Sequence, residues 1–243
     1  ERPDEAAVSR VKLLEVEPDY PFAKGKLLHA KMLACEWTGL QELNTAVATD
    51  LRNGKQAAEP FGYQAISQSS RDLQICAENY AAVFFPASRI PVWTGERYQH
   101  SKIRLGYVAG EFREQATAFL ITELFELHDK SRFELFAFDN GWADGSDIRR
   151  RIDRAFDHVI PIAALPDDET AALITQHEID ILINLNGYFG QARQRVFSLR
   201  PSPVQISFLG FPGTMGADYI DYIIADRCVI PPDQHAYYSE KVV

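Results

Sequence analysis

The residues with most chemistry to offer sit in the stretch Glu178–Gly190, EIDILINLNGYFG. Ile179, Ile181, Leu182, Ile183 and Leu185 make a short, β-branched apolar run, which suits a strand buried on both faces. Asn184, Asn186, Gly187 and Tyr188 then gather carboxamides, a flexible backbone and a phenol at its carboxyl end, where open parallel sheets keep their ligand crevices. The same residues also read as a buried strand leaving through a Gly turn, because Asn-Gly pairs punctuate many loops. A second cluster, Leu209–Gly216 or LGFPGTMG, again follows an apolar run. Its Gly residues and Thr214 allow close backbone approach to an anionic or sugar ligand, and they equally describe a plain turn.

Other groups have weaker claims. His128, His158 and His177 fall at helix ends or strand edges, which suits exposed or capping roles. His29, Cys35 and Trp37 share faces with Leu and Met and lack ligand spacing, so they read as core. Asp218 and Asp221 flank the last predicted strand; alternation puts them on opposite faces and favours structural roles. No Ser–His–Asp set and no metal-ligand spacing is present. Gly106–Glu111 does not match the dinucleotide Gly fingerprint, and Glu111 at a helix start would complement the dipole but repel a pyrophosphate.

Composition narrows the class. A net charge of −9 argues against a nucleic-acid surface. Arg149, Arg150, Arg151 and Arg154 read as the solvated face of a helix, offset by Asp147 and Asp153. The three cysteines, Cys35, Cys76 and Cys228, are far apart, which suits a reducing compartment and neither disulfides nor zinc. No apolar run is long enough for a membrane span, and no signal-peptide pattern opens the chain, so a cytoplasmic protein is expected. The chain starts in helical sequence without Met and stops at YYSEKVV as an apolar run begins, as a piece of a longer polypeptide would.

The elements that must position these residues fall into two regions. Residues 1–97 read as a helical region and a linker, with a stripe at Ala7, Val11 and Leu14, another at Leu27, Leu28, Met32 and Leu33, then helices over Leu40–Leu51 and Ser70–Phe84, after which Pro86 and Pro91 end the helical part. The turn EVEPDYP between short amphipathic helices is of the tetratricopeptide kind. Residues 98–243 alternate strand and helix about six times: Ile103–Ala109, a helix through Phe119, Leu120, Leu124 and Leu127, Phe133–Phe138, a helix capped by Ser146, His158–Ile162, Asp167–Gln176, Ile179–Leu185, Ala192–Ser198, Val204–Leu209 and Tyr219–Ala225. That pattern predicts an α/β fold, a Rossmann-like parallel sheet.

IRLGYVAGEF, FELFAFDNG, IDILINLNGY, LRPSPVQISFLGFPGTMGADYIDYIIAD and YYSEKVV, in that order, resemble the catalytic region of the O-linked N-acetylglucosaminyltransferase and SPINDLY-like family. Pro18–Trp37 is similar to the end of the tetratricopeptide superhelix that precedes that region. The resemblance implies the N-terminal lobe of a GT-B glycosyltransferase, with its C-terminal lobe outside this chain. It implies inverting transfer of a sugar, N-acetylglucosamine from UDP, to Ser or Thr hydroxyls of a protein or peptide acceptor. It implies no metal and no cofactor beyond the UDP-sugar co-substrate, which would bind mainly to the absent lobe, and no nucleic-acid or membrane partner. Cleft residues carried over are Gln115, Thr117, Asn186, Gly187, Tyr188, Pro212, Gly213 and Thr214. Family members read D-F-x-x-H where this chain has Glu111-Phe112-Arg113-Glu114-Gln115; Gln115 cannot act as a general base, so the catalytic residue is unassigned. Many bacterial members also have Asp and Lys where this chain has Asn184 and Asn186. The alternative to an enzyme is a catalytically degenerate binding module of the same fold, and the isolated chain is expected to be inactive.

Overall fold

A computed structural model describes residues 2–243, which divide into two compact units. One comprises residues 2–84 with segments 213–217 and 233–239; the other holds the remainder. The sheet unit takes up at Phe85, and segments 213–217 and 233–239 group with the helices.

The helical unit contains α1 (Pro3–Val16), α2 (Ala23–Leu33), α3 (Leu40–Arg52), α4 (Pro60–Gln64) and α5 (Ser70–Phe84). Pro3 in the first turn needs no N–H partner, and Asp4 and Glu5 there complement the helix dipole. Leu28, Val47, Leu51, Tyr63 and Cys76 form its core. Burial pushes the Cys76 thiol up to about 12, so it behaves as a small hydrophobe, and its Sγ donates to the Ala58 carbonyl at 3.3 Å. Asp72 is buried and accepts from Arg52 through both of its oxygens, each at 2.7 Å. The expectation of core positions at Cys35 and Trp37 is corrected: both are exposed. Cys35 lies just past α2 with φ +55, where the chain turns out of the helix. His29 is half-buried.

The second unit is built on a seven-stranded, all-parallel sheet in the order β3-β2-β1-β4-β5-β6-β7. The strands are β1 (Ile103–Ala109), β2 (Phe133–Asp139), β3 (His158–Pro161), β4 (Ile181–Asn184), β5 (Val204–Phe208), β6 (Tyr222–Ile224) and β7 (Lys241–Val242). Helices α6 (Ala116–Leu127), α7 (Asp147–Ala155), α8 (Asp167–Gln176) and α9 (Gln194–Ser198) fill the crossovers. Tyr107 of β1 lies between Ala137 and Ile183 in register, and the three share a core with Phe112, Phe125, Ile152 and Phe156. On the opposite face a Cβ at Gly106 would come within 3.0 Å of Ile179, Leu182 and Phe138, so Gly is needed there for packing. The sheet is therefore covered on both sides, as a parallel sheet must be.

Two expectations for this unit are corrected. The helix after β1 is held by Ala118, Ile121, Thr122 and Phe125, while Phe119, Leu120 and Leu127 are 62%, 72% and 75% exposed. The Arg cluster is not uniformly solvated. Arg149 is only 7% exposed; it donates to Asp139 at 2.6 Å, to Asp153 at 2.8 Å and to the Phe112 carbonyl at 3.1 Å. Asp139 ends β2, so this pair fixes α7 against the sheet from the inside. Asp218 and Asp221 precede β6, so strand alternation does not govern them, but Asp221 is structural as expected: it accepts from Arg200 at 3.0 Å and from the Gln205 N–H at 2.8 Å.

Breaking the buried pair leaves an uncompensated carboxylate, at a cost of roughly 3–5 kcal/mol. R149M is expected to lower the urea midpoint accordingly, whereas R150M, at an exposed neighbour, should change stability by no more than about 0.5 kcal/mol.

Candidate functional site

In a parallel sheet the loops leaving the carboxyl ends of the strands share one rim. Here β1, β2 and β4 end at Ala109, Asp139 and Asn184, and their loops are stitched together by buried polar side chains. Asn186, 2% exposed, accepts from the Gly110 N–H at 3.2 Å and donates through Nδ2 to the Glu111 carboxylate and, at 2.9 Å, to the Phe189 carbonyl. Asn184 turns the β4 loop: its Oδ1 accepts from the N–H groups of Asn186 at 3.1 Å and Gly187 at 2.9 Å, while its Nδ2 donates to Gln194 at 2.8 Å. Glu111 is also buried and accepts from the Gln191 N–H at 3.3 Å. Its expected place at the start of a helix is corrected, because α6 begins only at Ala116.

The β2 loop is bound in twice. Asn140 donates through Nδ2 to the Gln191 carbonyl at 2.9 Å, and its backbone N–H donates to the Ala109 carbonyl at 2.8 Å. Arg193 then spends its guanidinium on five acceptors: Asp167, Asn140, the Ile162 and Leu165 carbonyls, and the Thr170 hydroxyl, at 2.6–3.1 Å. Asp144 accepts from the Glu114 N–H at 2.7 Å and from the N–H and hydroxyl of Ser146 at 3.0 and 2.7 Å. The Ser146 hydroxyl in turn caps α7 by accepting from Arg149 N at 3.2 Å, as its place in the sequence predicts.

Of the residues carried over as cleft-lining, Asn186 and Gly187 are buried in this stitching. Gly187 has φ +56, and a Cβ there would enter the Phe211 side chain. Tyr188 is half-buried between the Phe85 and Phe211 rings, with centroids 6.3 and 5.5 Å away. Gln115 is the N-cap of α6, and its Oε1 accepts from Ala116 N at 2.9 Å. Thr117 is buried in the first turn of that helix. Pro212 is exposed in the sheet unit, whereas Gly213 and Thr214 belong to the helical unit. There Thr214 pairs with the Ser239 hydroxyl at 2.9 Å and accepts from Gly216 N at 3.1 Å, which is the turn reading of that segment.

Glu111, Asn140, Asp144 and Arg193 were not picked out as rim residues from the sequence. Only Asp144-Gly145-Ser146 carries a local signal, that of an Asx-type turn ahead of a helix. Among the described residues no cluster of His, Cys, Asp and Glu is arranged to hold a metal, and no helix is long and apolar enough to cross a membrane. The rim therefore offers hydrogen-bonding and positioning groups on a preorganised backbone.

Two measurements check this geometry. G187A combines a left-handed backbone with a clash, and is expected to cost roughly 1–3 kcal/mol in thermal unfolding. The Glu114 backbone N–H, and then the Ser146 hydroxyl, hold the Asp144 carboxyl down at about 2. A lowered pKa gives stability that is complete above the ordinary value of 3.8 and lost as pH falls through about 2. The melting-temperature gap between the protein and D144A should accordingly hold steady down to about pH 5 and close toward pH 2.

Comparison with known proteins agrees with this architecture. The chain is 39% identical over 142 residues to the Arabidopsis thaliana probable UDP-N-acetylglucosamine–peptide N-acetylglucosaminyltransferase SEC, covering 58% of this chain and 14% of that protein. It is 36% identical over 157 residues to the Caenorhabditis elegans UDP-N-acetylglucosamine–peptide N-acetylglucosaminyltransferase, covering 64% and 13%. A solved mutant of the Thermobaculum terrenum O-GlcNAc transferase superposes over 100% of this chain and 47% of its own, with a TM-score of 0.74 at 22% identity, and so shares the fold. The chain thus spans under a fifth of the length of the curated relatives it matches. The profile of glycosyl transferase family 41 matches residues 63–243, three quarters of the sequence: the chain belongs to glycosyl transferase family 41.

Proposed function

We propose that the protein containing this chain transfers N-acetylglucosamine from UDP to Ser or Thr hydroxyls of polypeptides, with inversion and without a metal. The observation that carries the reading is the family 41 match across the whole sheet unit, together with relatives named UDP-N-acetylglucosamine–peptide N-acetylglucosaminyltransferases. The site chemistry is consistent with it. An inverting displacement needs the sugar and the acceptor hydroxyl held in line, and a rim of fixed amides and hydroxyls supplies positioning and hydrogen bonds rather than covalent chemistry. In this reading Gln115, Tyr188 and Pro212 line the acceptor side of the cleft. Asn186 and Gly187 hold that wall from behind, and Thr117 supports it. The UDP moiety binds mainly outside this chain, the helical region is a tetratricopeptide-like end that recruits the acceptor, and the protein works in the cytoplasm.

One observation favours a second reading. Gln115 stands where the resemblance places a His, and Gln has no useful pKa, so a degenerate binding module of the same fold is the alternative. Incubating the intact protein with radiolabelled UDP-N-acetylglucosamine and cell lysate separates the two: label is expected on polypeptide, and none would overturn the proposal. If only Q115H transfers sugar, the protein is a decayed enzyme. Titration of the chain itself with UDP should show weak binding at most; tight binding would mean that the nucleotide site has been placed in the wrong part of the protein.

A further inference from the structure

Gln115 is held in an unusual way. Its Oε1 is committed to the Ala116 N–H, and its carboxamide N–H groups have no partner among the described residues, so they are left to donate. Its backbone is set by a residue 29 positions away: Asp144 Oδ2 takes the N–H of the adjacent Glu114 at 2.7 Å while Oδ1 grips Ser146. A second tie joins the same two loops, for the Arg113 guanidinium lies 4.1 Å from the centroid of the Trp142 ring, and Arg113 also donates to the Gly110 carbonyl at 3.1 Å. Asp144 itself is exposed, yet it is spent on backbone and hydroxyl donors rather than on a cation. A carboxylate accepting such bonds fixes the direction of the chain it holds.

We propose that Asp144 is a positioning residue for sugar transfer, setting the loop from which Gln115 offers its carboxamide N–H groups to the reactants; this rests on the glycosyltransferase reading above. Asp144 touches neither reactant in this account and acts only through Gln115. A misplacement of about 1 Å at such a group can cost around a hundredfold in rate. The test is a double-mutant cycle in the intact protein, with UDP-N-acetylglucosamine and a protein acceptor. D144A is expected to lower kcat roughly tenfold or more with the donor KM little changed, and D144N, which keeps one acceptor oxygen, to lower it less. On a Q115A background D144A should cost no more than about twofold, because the two act as one unit. Additive losses, an effect confined to KM, or an undiminished kcat in D144A would overturn the positioning role while leaving the transferase reading intact. Absence of transfer by the unmodified protein would overturn both.

Discussion

The carboxamide of Asn186 is the group on which the rim at the carboxyl ends of the strands depends. It joins the end of β4 to the end of β1 by accepting from Gly110 and donating to Glu111, and it closes its own loop on Phe189. A buried carboxamide with unmade bonds would cost more than its bonds return, so the arrangement is stable only when all the partners are present together. Glu111 is part of the same constraint: a carboxylate 4% exposed is tolerable there because Asn186 and the Gln191 N–H meet it. Gly190 must lack a side chain, since a Cβ would strike the Glu111 carboxyl.

From that point the order spreads outward. Arg193 binds the β4 loop to the β2 loop and to the start of α8, and the Arg149–Asp139 pair anchors α7 beneath it. Asp144 then ties the β2 loop to the approach to α6. Loops held this way lose little entropy when a substrate docks, which is the physical basis for reading the rim as a binding wall. Membership in family 41 gives that wall its proposed chemistry.

Much of the fold was legible in the sequence because apolar runs and turn residues agree with it. Six of the seven strands, the all-parallel pattern and the Ser146 cap follow from periodicity and punctuation alone. The seventh strand, Lys241–Val242, is two residues long and has no periodicity to read; α4 is five residues and equally silent. The errors have a common cause, which is that local pattern does not say which partner wins. Arg149 looks like its exposed neighbours until Asp139 is brought beneath it. Trp37 and Cys35 look like core, but the chain leaves α2 at Leu33. Asn184 and Asn186 stood out by type, and Gln115 by its departure from the motif that the resemblance implies. Only the three-dimensional arrangement distinguishes a carboxamide consumed by the loop, as in Asn186, from one left able to donate, as in Gln115.

Amide hydrogen exchange resolved at Gly110, Asn186 and Gly187 tests the account most directly, because those three N–H groups donate to the buried side chains of Asn186 and Asn184. If the rim is a preorganised wall, they exchange as slowly as the amides of β1 and β4, through global unfolding. Exchange at the rate of open loops, with the strands still protected, would contradict it.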